Sequence, residues 1–399
     1  MKNNKYEIDM CNGTLMDKLI SFALPLMLSG MLQLMFNAVD IIVVGRFTGS
    51  TALAAVGSTT ALISTFTNLF IGVSLGANVL AARFYATGKA KEMSETVHTA
   101  IALAAISGVV MCIIGIAAAR EALVLIDTPD DVIGQAALYL RLYFCGMPFF
   151  MLYNYGAAIL RAVGDTKRPL MYLIIAGSTN AVLDLVLVII FKMGVAGVAI
   201  GTVTSQLISC ILVIRCLMTT ESDYKLRIRD LRIRKYYLLQ ILSVGLPAGI
   251  QSTVINFSNV LLQSSVNSFG EIAMAGYTAA NNILGFLYVS VNSITQACMS
   301  FTSQNYGVRK FKRMDKVLID CMILSVIVSV VIGGGSYILG RQILGIYTNQ
   351  SEVIECGMDI LSISTIPYFL CGITESFSTG PEDYDHPAYL RCTRLHYAG

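Results

Sequence analysis

Two carboxylic acids lie inside long apolar segments of this sequence. Asp40 stands several residues before the end of an apolar run that starts near Met16, and Asp184 lies similarly deep in a later run. An ionisable side chain within hydrocarbon is costly, so such acids are typical of ion pathways. A carboxylate flanked by neutral oxygens suits a hard cation such as Na⁺, whereas a carboxyl removed from water can hold a proton. The alternative is that both acids only form hydrogen bonds between helices.

Amide and hydroxyl side chains accompany both acids. Asn37 precedes Asp40 by three residues and Asn180 precedes Asp184 by four, so each amide shares a helical face with its acid. Thr202 lies about two turns into the next apolar run, at a similar depth. We therefore predict an ion-coupling set of Asp40, Asp184, Asn180, Asn37 and Thr202, in which Na⁺ would be held by Asp40, Asn180, Asp184 and Thr202. Residues predicted to line a neighbouring cavity are Asn154, Tyr139, Gln33 and Met31.

The elements that carry these residues are predicted to be membrane-spanning helices. Hydrophobic residues make up 55% of the chain and charged residues 13%, and the mean hydropathy is +0.68. A soluble domain has about 25% charged residues, and apolar runs of about twenty residues cross a bilayer as helices. We predict an all-α integral membrane protein with about ten helices, at 16–44, 52–82, 94–118, 133–158, 169–191, 195–217, 238–266, 272–300, 317–340 and 354–377.

The connections between the predicted helices alternate in charge. One set is basic, as at 83–91 and 309–316, whereas the alternate set is acidic or nearly neutral, as at 121–131. Positive residues concentrate on the cytoplasmic side of membrane proteins, so the pattern predicts a multi-pass protein with a cytoplasmic N-terminus. The basic segment 224–235 could bind anionic lipid or nucleic acid. We favour a linker resting on anionic headgroups and predict no nucleic-acid partner.

The chain is duplicated around that basic segment. Phe22-Ala-Leu-Pro25 recurs as Val244-Gly-Leu-Pro247, and Gly146-Met-Pro148 corresponds to Thr365-Ile-Pro367, with a spacing near 220 residues. Both copies begin on the predicted cytoplasmic side, which indicates parallel repeats with a cavity between two lobes. We predict a first lobe at 1–217, a basic cytoplasmic linker at 218–236, an incomplete second lobe at 237–378 and a polar tail at 379–399.

Several spaced motifs resemble those of the MATE (multidrug and toxic compound extrusion) family. They are Leu24-Pro25 followed by Asp40 and by Ala52-Leu-Ala-Ala-Val-Gly57, Leu160-Arg-Ala-Val-Gly-Asp-Thr-Lys-Arg-Pro169, Asn180 with Asp184, Gly194-Val-Ala-Gly-Val-Ala-Ile-Gly201, and Gln304-Asn-Tyr-Gly307. The resemblance covers residues 15–378. It implies twelve helices in two six-helix lobes. It also implies efflux of cationic or amphipathic small molecules across a bacterial cell membrane, in exchange for Na⁺ or H⁺ and without a cofactor.

The distribution of acids separates two branches of that family. One branch couples through acids of the second lobe, yet 250–268 and 273–306 contain no acid. The chain is therefore similar to the branch with first-lobe acids, and Glu375 is predicted to lie at the membrane interface. Pro25 is a candidate hinge, because proline removes a backbone hydrogen bond from its helix. A static kink is the alternative.

The sequence departs from the repeat after Ser378. Residues resembling Leu160-Arg-Ala-Val-Gly-Asp165 should follow and open two more helices, but the chain reads Thr379-Gly-Pro-Glu-Asp383 and continues into a polar tail. A frameshift would explain this change, and a genuine alternative C-terminus is the other interpretation. In either case we expect a second lobe without its last two helices, and a transporter that is impaired or inactive.

Two other functions fit the residues less well. A flippase for lipid-linked precursors of a related two-lobe fold would need cavity arginines to meet a pyrophosphate, and only Arg141, near a helix start, approaches such a position. A membrane-embedded enzyme would need a catalytic cluster, but His98 stands alone and no nucleophile motif or phosphate loop is present. We therefore predict no enzymatic activity and no cofactor, with small organic molecules and membrane lipids as partners.

Overall fold

The computed structural model describes residues 6–126, 128–347 and 350–378, and within these ranges every regular element is helical. The predicted tail at 379–399 lies outside the described residues. The α-helices are α1 (Met16–Phe47), α2 (Ser50–Ala86), α3 (Ala90–Leu125), α4 (Asp130–Cys145), α5 (Met147–Ala162), α6 (Lys167–Leu185), α7 (Val195–Thr219), α8 (Lys235–Asn267), α9 (Glu271–Gly307), α10 (Phe311–Val328), α11 (Gly334–Ile338), α12 (Gly340–Tyr347), α13 (Ser351–Thr365) and α14 (Tyr368–Ser378). A π-helical turn at Val186–Ile190 follows α6, and another at Ser329–Gly333 follows α10.

The helices are sufficient in length and apolarity for a polytopic membrane protein. Within the described ranges eight helical segments are long and apolar enough to cross a membrane, and two bent pairs raise the number to as many as ten. The pairs are α4 with α5, bent by 46°, and α13 with α14, bent by 41°. The prediction of an all-α membrane protein is thus confirmed. The predicted single helices at 133–158 and 354–377 are each broken next to a proline, which cannot donate to the helical hydrogen-bond ladder.

Several helices extend beyond the apolar runs that predicted them. The run at 94–118 belongs to α3, which covers Ala90–Leu125, and the run at 317–340 begins earlier, at Phe311. An apolar run covers only the part of a helix inside the hydrocarbon core, which is about 20 residues long. The helical hydrogen bonds continue beyond it, into the headgroup region of the membrane. The predicted helix 317–340 is also interrupted, because the π turn Ser329–Gly333 separates α10 from α11.

The duplicated sequence produces duplicated elements. α1 and α8 contain 32 and 33 residues, and α2 and α9 contain 37 residues each. The glycines that precede α2 and α9, Gly49 and Gly270, have φ angles of 104° and 97°, which residues with a Cβ atom rarely adopt. The repeat that the sequence shows is therefore also a repeat of helix length and turn geometry.

Two compact units divide the described residues. One contains 6–7 and Leu32–Phe257, and the other contains Ile8–Met31 and 258–378. Two of the three borders fall inside long helices, one in α1 and one in α8. The predicted lobes instead meet in the linker. The difference arises because the two ends of α1 join different cores. Phe22 packs edge-on against Phe301 of α9 at 5.6 Å between ring centroids, whereas Val44 is buried with Tyr139 of α4.

Glycines allow α2 and α8 to cross closely inside the first unit. A Cβ atom on Gly245 would lie 2.5 Å from the Cα atom of Val73, and a Cβ atom on Gly72 or Gly76 would overlap the backbone of α8. Gly72 and Gly76 are spaced like Gly245 and Gly249, as in the small-xxx-small pattern that brings membrane helices together. Backbone contact, rather than interdigitated side chains, therefore fixes this crossing.

The basic linker packs on the first turns of α3. The His98 Nε2 atom accepts a hydrogen bond from the backbone N–H of Arg227 at 3.0 Å. The Glu95 carboxylate forms ion pairs with Arg232 at 2.7 Å and with Arg234 at 3.1 Å. His98, which stood alone in the sequence, therefore holds the linker backbone to α3.

Candidate functional site

α6 places an amide and a carboxyl group in the interior of the first unit. Asn180 and Asp184 have exposed fractions of 5% and 0%, and the Asn180 Nδ2 atom donates a hydrogen bond to the Asp184 Oδ1 atom at 3.3 Å. Directly after α6 the backbone widens into the π turn Val186–Ile190. Such turns are rare and are often found at functional sites. The end of α6 therefore combines a buried acid with an irregular backbone.

Small residues at the start of α7 make room for this acid. A Cβ atom on Gly201 would overlap the Asp184 Oδ1 atom and would lie 3.5 Å from the Asn180 Nδ2 atom. A Cβ atom on Gly197 would stand 3.1 Å from the Cβ atom of Leu187 in the π turn. The glycine-rich segment 194–201 therefore lets α7 pack closely against the buried Asp184 carboxyl group.

Asp40 of α1 meets Asp184 of α6 within the first unit. Their carboxyl groups lie within hydrogen-bonding range of each other, and the Thr202 hydroxyl on α7 lies within range of Asp40. Asp40 is only 9% exposed. One oxygen of each acid, Asp40 Oδ1 and Asp184 Oδ2, is buried and has no hydrogen-bond partner among the described residues. Two neighbouring carboxylates repel each other when both are ionised, so the pair favours a bound proton or a bound cation.

Two tyrosines of α4 adjoin the acid pair. Tyr139 is buried, and both Asp40 and Asp184 are near it. Tyr143, one turn further along α4, is near Asp40, and its hydroxyl lies close to the NH₂ group of Gln206. Tyr143 and Gln206 were not among the residues predicted from the sequence. The signal was their spacing, because each follows a predicted site residue by four positions and so shares its helical face.

Several other predicted residues are not brought into this cluster. Asn37 and Gln33 are exposed on α1. Asn154 is half-buried, and its Nδ2 atom donates to the Phe150 carbonyl oxygen within α5 at 2.8 Å. Met31 is half-buried and belongs to the second unit. Three residues correspond to a net offset of about 60° around the helix, so the packing of neighbouring helices, and not the spacing, leaves Asn37 exposed while Asp40 is buried.

The candidate hinge lies within a continuous helix. α1 remains helical through Pro25, which is buried in the second unit. The carbonyl oxygen of Pro25 accepts a hydrogen bond from the Ser29 hydroxyl at 2.8 Å. A hinge function for Pro25 therefore stays a prediction.

Glu375 and Arg141 are two further charged residues of the predicted helices, and both lie outside the acid cluster. Glu375, predicted to be interfacial, is half-buried in the second unit, where its Oε2 atom accepts a hydrogen bond from the Thr295 hydroxyl at 3.2 Å. α14 places it against α9, so packing rather than depth along the helix determines its environment. Arg141, the arginine considered for a flippase, is exposed on α4.

The acid cluster fits a proton or a monovalent cation. Two carboxyl groups, the Thr202 hydroxyl and the Asn180 amide supply oxygen ligands of the kind that hard cations prefer. In the structure Asn180 presents its NH₂ group to Asp184, so it would have to rotate its amide before Oδ1 could bind a metal ion. Among the described residues no group of three or more His, Cys, Asp or Glu side chains could hold a metal ion. The cluster thus accommodates H⁺ directly, and Na⁺ after one amide rotation.

Comparison with known proteins places this geometry in a family. The MatE family model matches residues 25–186 and 247–390, one match in each sequence repeat. "Probable multidrug resistance protein YoeA" of Bacillus subtilis (strain 168) is 30% identical over 365 residues, which is 90% of this chain and 79% of that protein. "Multidrug export protein MepA" of Staphylococcus aureus (strain NCTC 8325 / PS 47) is 22% identical over 362 residues, or 89% and 78%. A solved outward-facing structure of a multidrug resistance MATE family transporter of the MOP superfamily superposes with a TM-score of 0.89 at 21% identity, covering 95% of this chain and 84% of that one. The chain therefore belongs to the MatE family, whose members are membrane transporters and not enzymes.

Proposed function

We propose that this chain is a secondary active exporter that moves cationic or amphipathic small molecules out of the cell in exchange for Na⁺ or H⁺. The names of its relatives, a multidrug resistance protein and a multidrug export protein, support the substrate class. The observation that carries the coupling mechanism is the buried contact between Asp40 and Asp184, each of which has one oxygen without a partner among the described residues. The ion gradient supplies the driving force, so no cofactor is required.

The exchange follows from electrostatics. The low-dielectric interior strengthens any interaction with the acid pair, so the pair strongly favours an ion that offsets its charge. A bound proton or Na⁺ therefore lowers the attraction for a cationic substrate, and loss of that ion restores it. Transporters built from two repeats expose such a site alternately to the two sides of the membrane. Asp40 and Asp184 thus provide one negative site for which ion and substrate compete.

The proposed setting is the bacterial cell membrane, with the N-terminus in the cytoplasm. The alternation of basic and acidic connections supports this orientation. Arg229 and Lys235 of the linker are exposed, as expected for a segment that faces anionic lipid headgroups. The proposal includes membrane lipids and no nucleic acid as partners, because a short basic segment between membrane-spanning helices lies where anionic headgroups are met.

The test is efflux from proteoliposomes loaded with a fluorescent organic cation, driven by a Na⁺ gradient at fixed pH or by a pH gradient without Na⁺. Asp40→Asn and Asp184→Asn are each expected to abolish gradient-driven efflux while membrane insertion is retained. A neutral amide cannot exchange a proton and binds Na⁺ far more weakly than a carboxylate. Ion binding is measured in parallel as the ion-dependent shift of the thermal unfolding midpoint.

Asp131→Asn is the matched control, since it makes the same change at an exposed acid in the first turn of α4. It is expected to behave as the parent chain does. Full ion-dependent efflux or stabilisation in the variant that combines Asp40→Asn with Asp184→Asn would refute the proposal. Dependence on Na⁺ at fixed pH would assign a metal site with Asn180 and Thr202 as ligands. Dependence on the pH gradient alone would assign a proton shared by the pair.

A further inference from the structure

Three buried acceptor oxygens lie on α1, α6 and α7 of the first unit. Asp40 Oδ1, Asp184 Oδ2 and Gln206 Oε1 are buried and have no hydrogen-bond partner among the residues that the structure describes. A buried acceptor without a donor is destabilising, and such groups are few in native proteins. The first two belong to the acid pair. The third indicates that the polar cluster continues beyond the residues that the sequence singled out.

Gln206 is connected to the acid pair along two helices. On α7 it follows Thr202 by one turn, a rise of about 6 Å. On α4 Tyr143 follows Tyr139 by one turn, and their ring centroids are 6.3 Å apart. The Tyr143 hydroxyl lies close to the NH₂ group of the Gln206 side chain, and Asp40 is also near Tyr143. The two helices thus present matching polar side chains at two successive levels.

The bend between α4 and α5 makes room for the second level. Gly146 lies at this bend of 46°, and a Cβ atom there would overlap the Gln206 Oε1 atom. The same Cβ atom would lie 3.0 Å from the Val203 Cγ2 atom and 3.2 Å from the Tyr143 carbonyl oxygen. A glycine at the bend is therefore what leaves room for the buried Gln206 Oε1 atom against α4.

We infer that Tyr143 and Gln206 form a second station for the coupling ion, one helical turn beyond the acid pair on α4 and α7. The Gln206 carbonyl is an acceptor, and the Tyr143 hydroxyl both accepts and donates, so together they solvate a Na⁺ ion or a water that carries the proton. They act as positioning residues, because they set how readily the ion is exchanged and held at Asp40 and Asp184. This inference rests on the proposed ion coupling and adds residues to it.

The test measures the ion affinity of the purified full chain in detergent by thermal unfolding. Na⁺ is titrated at fixed pH, and pH is titrated without Na⁺, for the parent chain and for Gln206→Met and Tyr143→Phe. Each variant keeps the shape of the side chain and removes the polar atom. The titratable groups around Asp40, namely Asp184 on α6 and Tyr139 on α4, are left intact. We expect the half-saturating ion concentration to change by about threefold to tenfold, the effect of one hydrogen bond.

Matched controls separate a local effect from a general one. Gln240→Met removes the same group from α8, where the Oε1 atom is also buried without a partner among the described residues. Tyr153→Phe removes a hydroxyl whose oxygen lies 3.4 Å from the Pro169 carbonyl oxygen. Both controls are expected to keep the parent affinity. The variant that combines Tyr143→Phe with Gln206→Met is expected to shift the half-saturating ion concentration no further than the more affected single variant does. The reason is that both changes remove the same shared interaction.

Each outcome decides between defined alternatives. If Asp184→Asn loses ion-dependent stabilisation while Gln206→Met and Tyr143→Phe keep the parent affinity, the second station is refuted and the acid site stands. A lower unfolding midpoint at every ion concentration with unchanged affinity would also refute it, since that is the signature of a purely structural role. If Asp184→Asn keeps the parent ion dependence, the proposed coupling site fails and the station fails with it.

Discussion

Gly201→Ala is the smallest change that the structure predicts to disturb the acid pair. The added methyl group would overlap the Asp184 Oδ1 atom, the same atom that accepts the hydrogen bond from Asn180. Overpacking of this kind costs about 1–3 kcal/mol. Replacing glycine by alanine inside a helix by itself stabilises the folded state by about 0.5–1 kcal/mol, because alanine loses less conformational entropy on folding. A net loss of up to about 2.5 kcal/mol in the free energy of unfolding is therefore expected.

The assay combines thermal unfolding of the purified protein with ion titration. Gly201→Ala should lower the unfolding midpoint and weaken ion-dependent stabilisation, because the Asp184 carboxyl must move away from α7. Gly134→Ala on α4 is the matched control, since a Cβ atom there would meet nothing within 4 Å. It should leave the midpoint unchanged or raise it. The clash itself is tested by a double-mutant cycle with Asp184→Ala, in which removal of the carboxyl should relieve the cost of Gly201→Ala.

Parent-like stability together with parent-like ion affinity in Gly201→Ala would refute this reasoning. Such a result would mean that α6 and α7 can separate without affecting Asp184. Additive effects in the double-mutant cycle would show that any loss of stability arises elsewhere than at the carboxyl.

Three further predictions follow from the structure. Gly245→Ala should destabilise the first unit by about 1–3 kcal/mol, because its Cβ atom would press on the backbone of α2, and chemical denaturation measures the loss. Cysteines introduced at Arg229 and Asp131, both exposed, should be labelled from the cytoplasmic and the outer side respectively in a background without native cysteines, and the reverse result would overturn the orientation. Burial tends to raise the pKa of Asp9, but hydrogen bonds from Asn12 and neighbouring contacts outweigh it and lower the pKa. Stability from a lowered pKa is present above the unfolded-state pKa and is lost as the pH falls through the folded-state pKa. Amide exchange at 9–13, corrected for its intrinsic pH dependence, should therefore accelerate below about pH 4, and Asp9→Asn should remove that dependence.

The sequence by itself determined the membrane class and the repeat. Runs of apolar residues long enough to cross a bilayer leave helices as the structure that satisfies every backbone group, so the fold class follows from composition and length. The repeat seen at Pro25 and Pro247 extends to turn geometry, because Gly49 and Gly270 both adopt positive φ angles. The acids Asp40 and Asp184 were identified by their cost in hydrocarbon alone. Each of these inferences depends on local properties of the chain.

Only the tertiary structure decided which polar residues meet. Asn37 and Asn180 have nearly the same spacing from their acids, yet Asn180 is buried beside Asp184 and Asn37 is exposed. Tyr143 and Gln206 lie on different helices, so their proximity depends on how α4 and α7 pack and on the bend at Gly146. Hydropathy and spacing determine a residue's depth and the face of its helix. The neighbour across that face is determined by helix packing, which arises from contacts between residues far apart in the sequence.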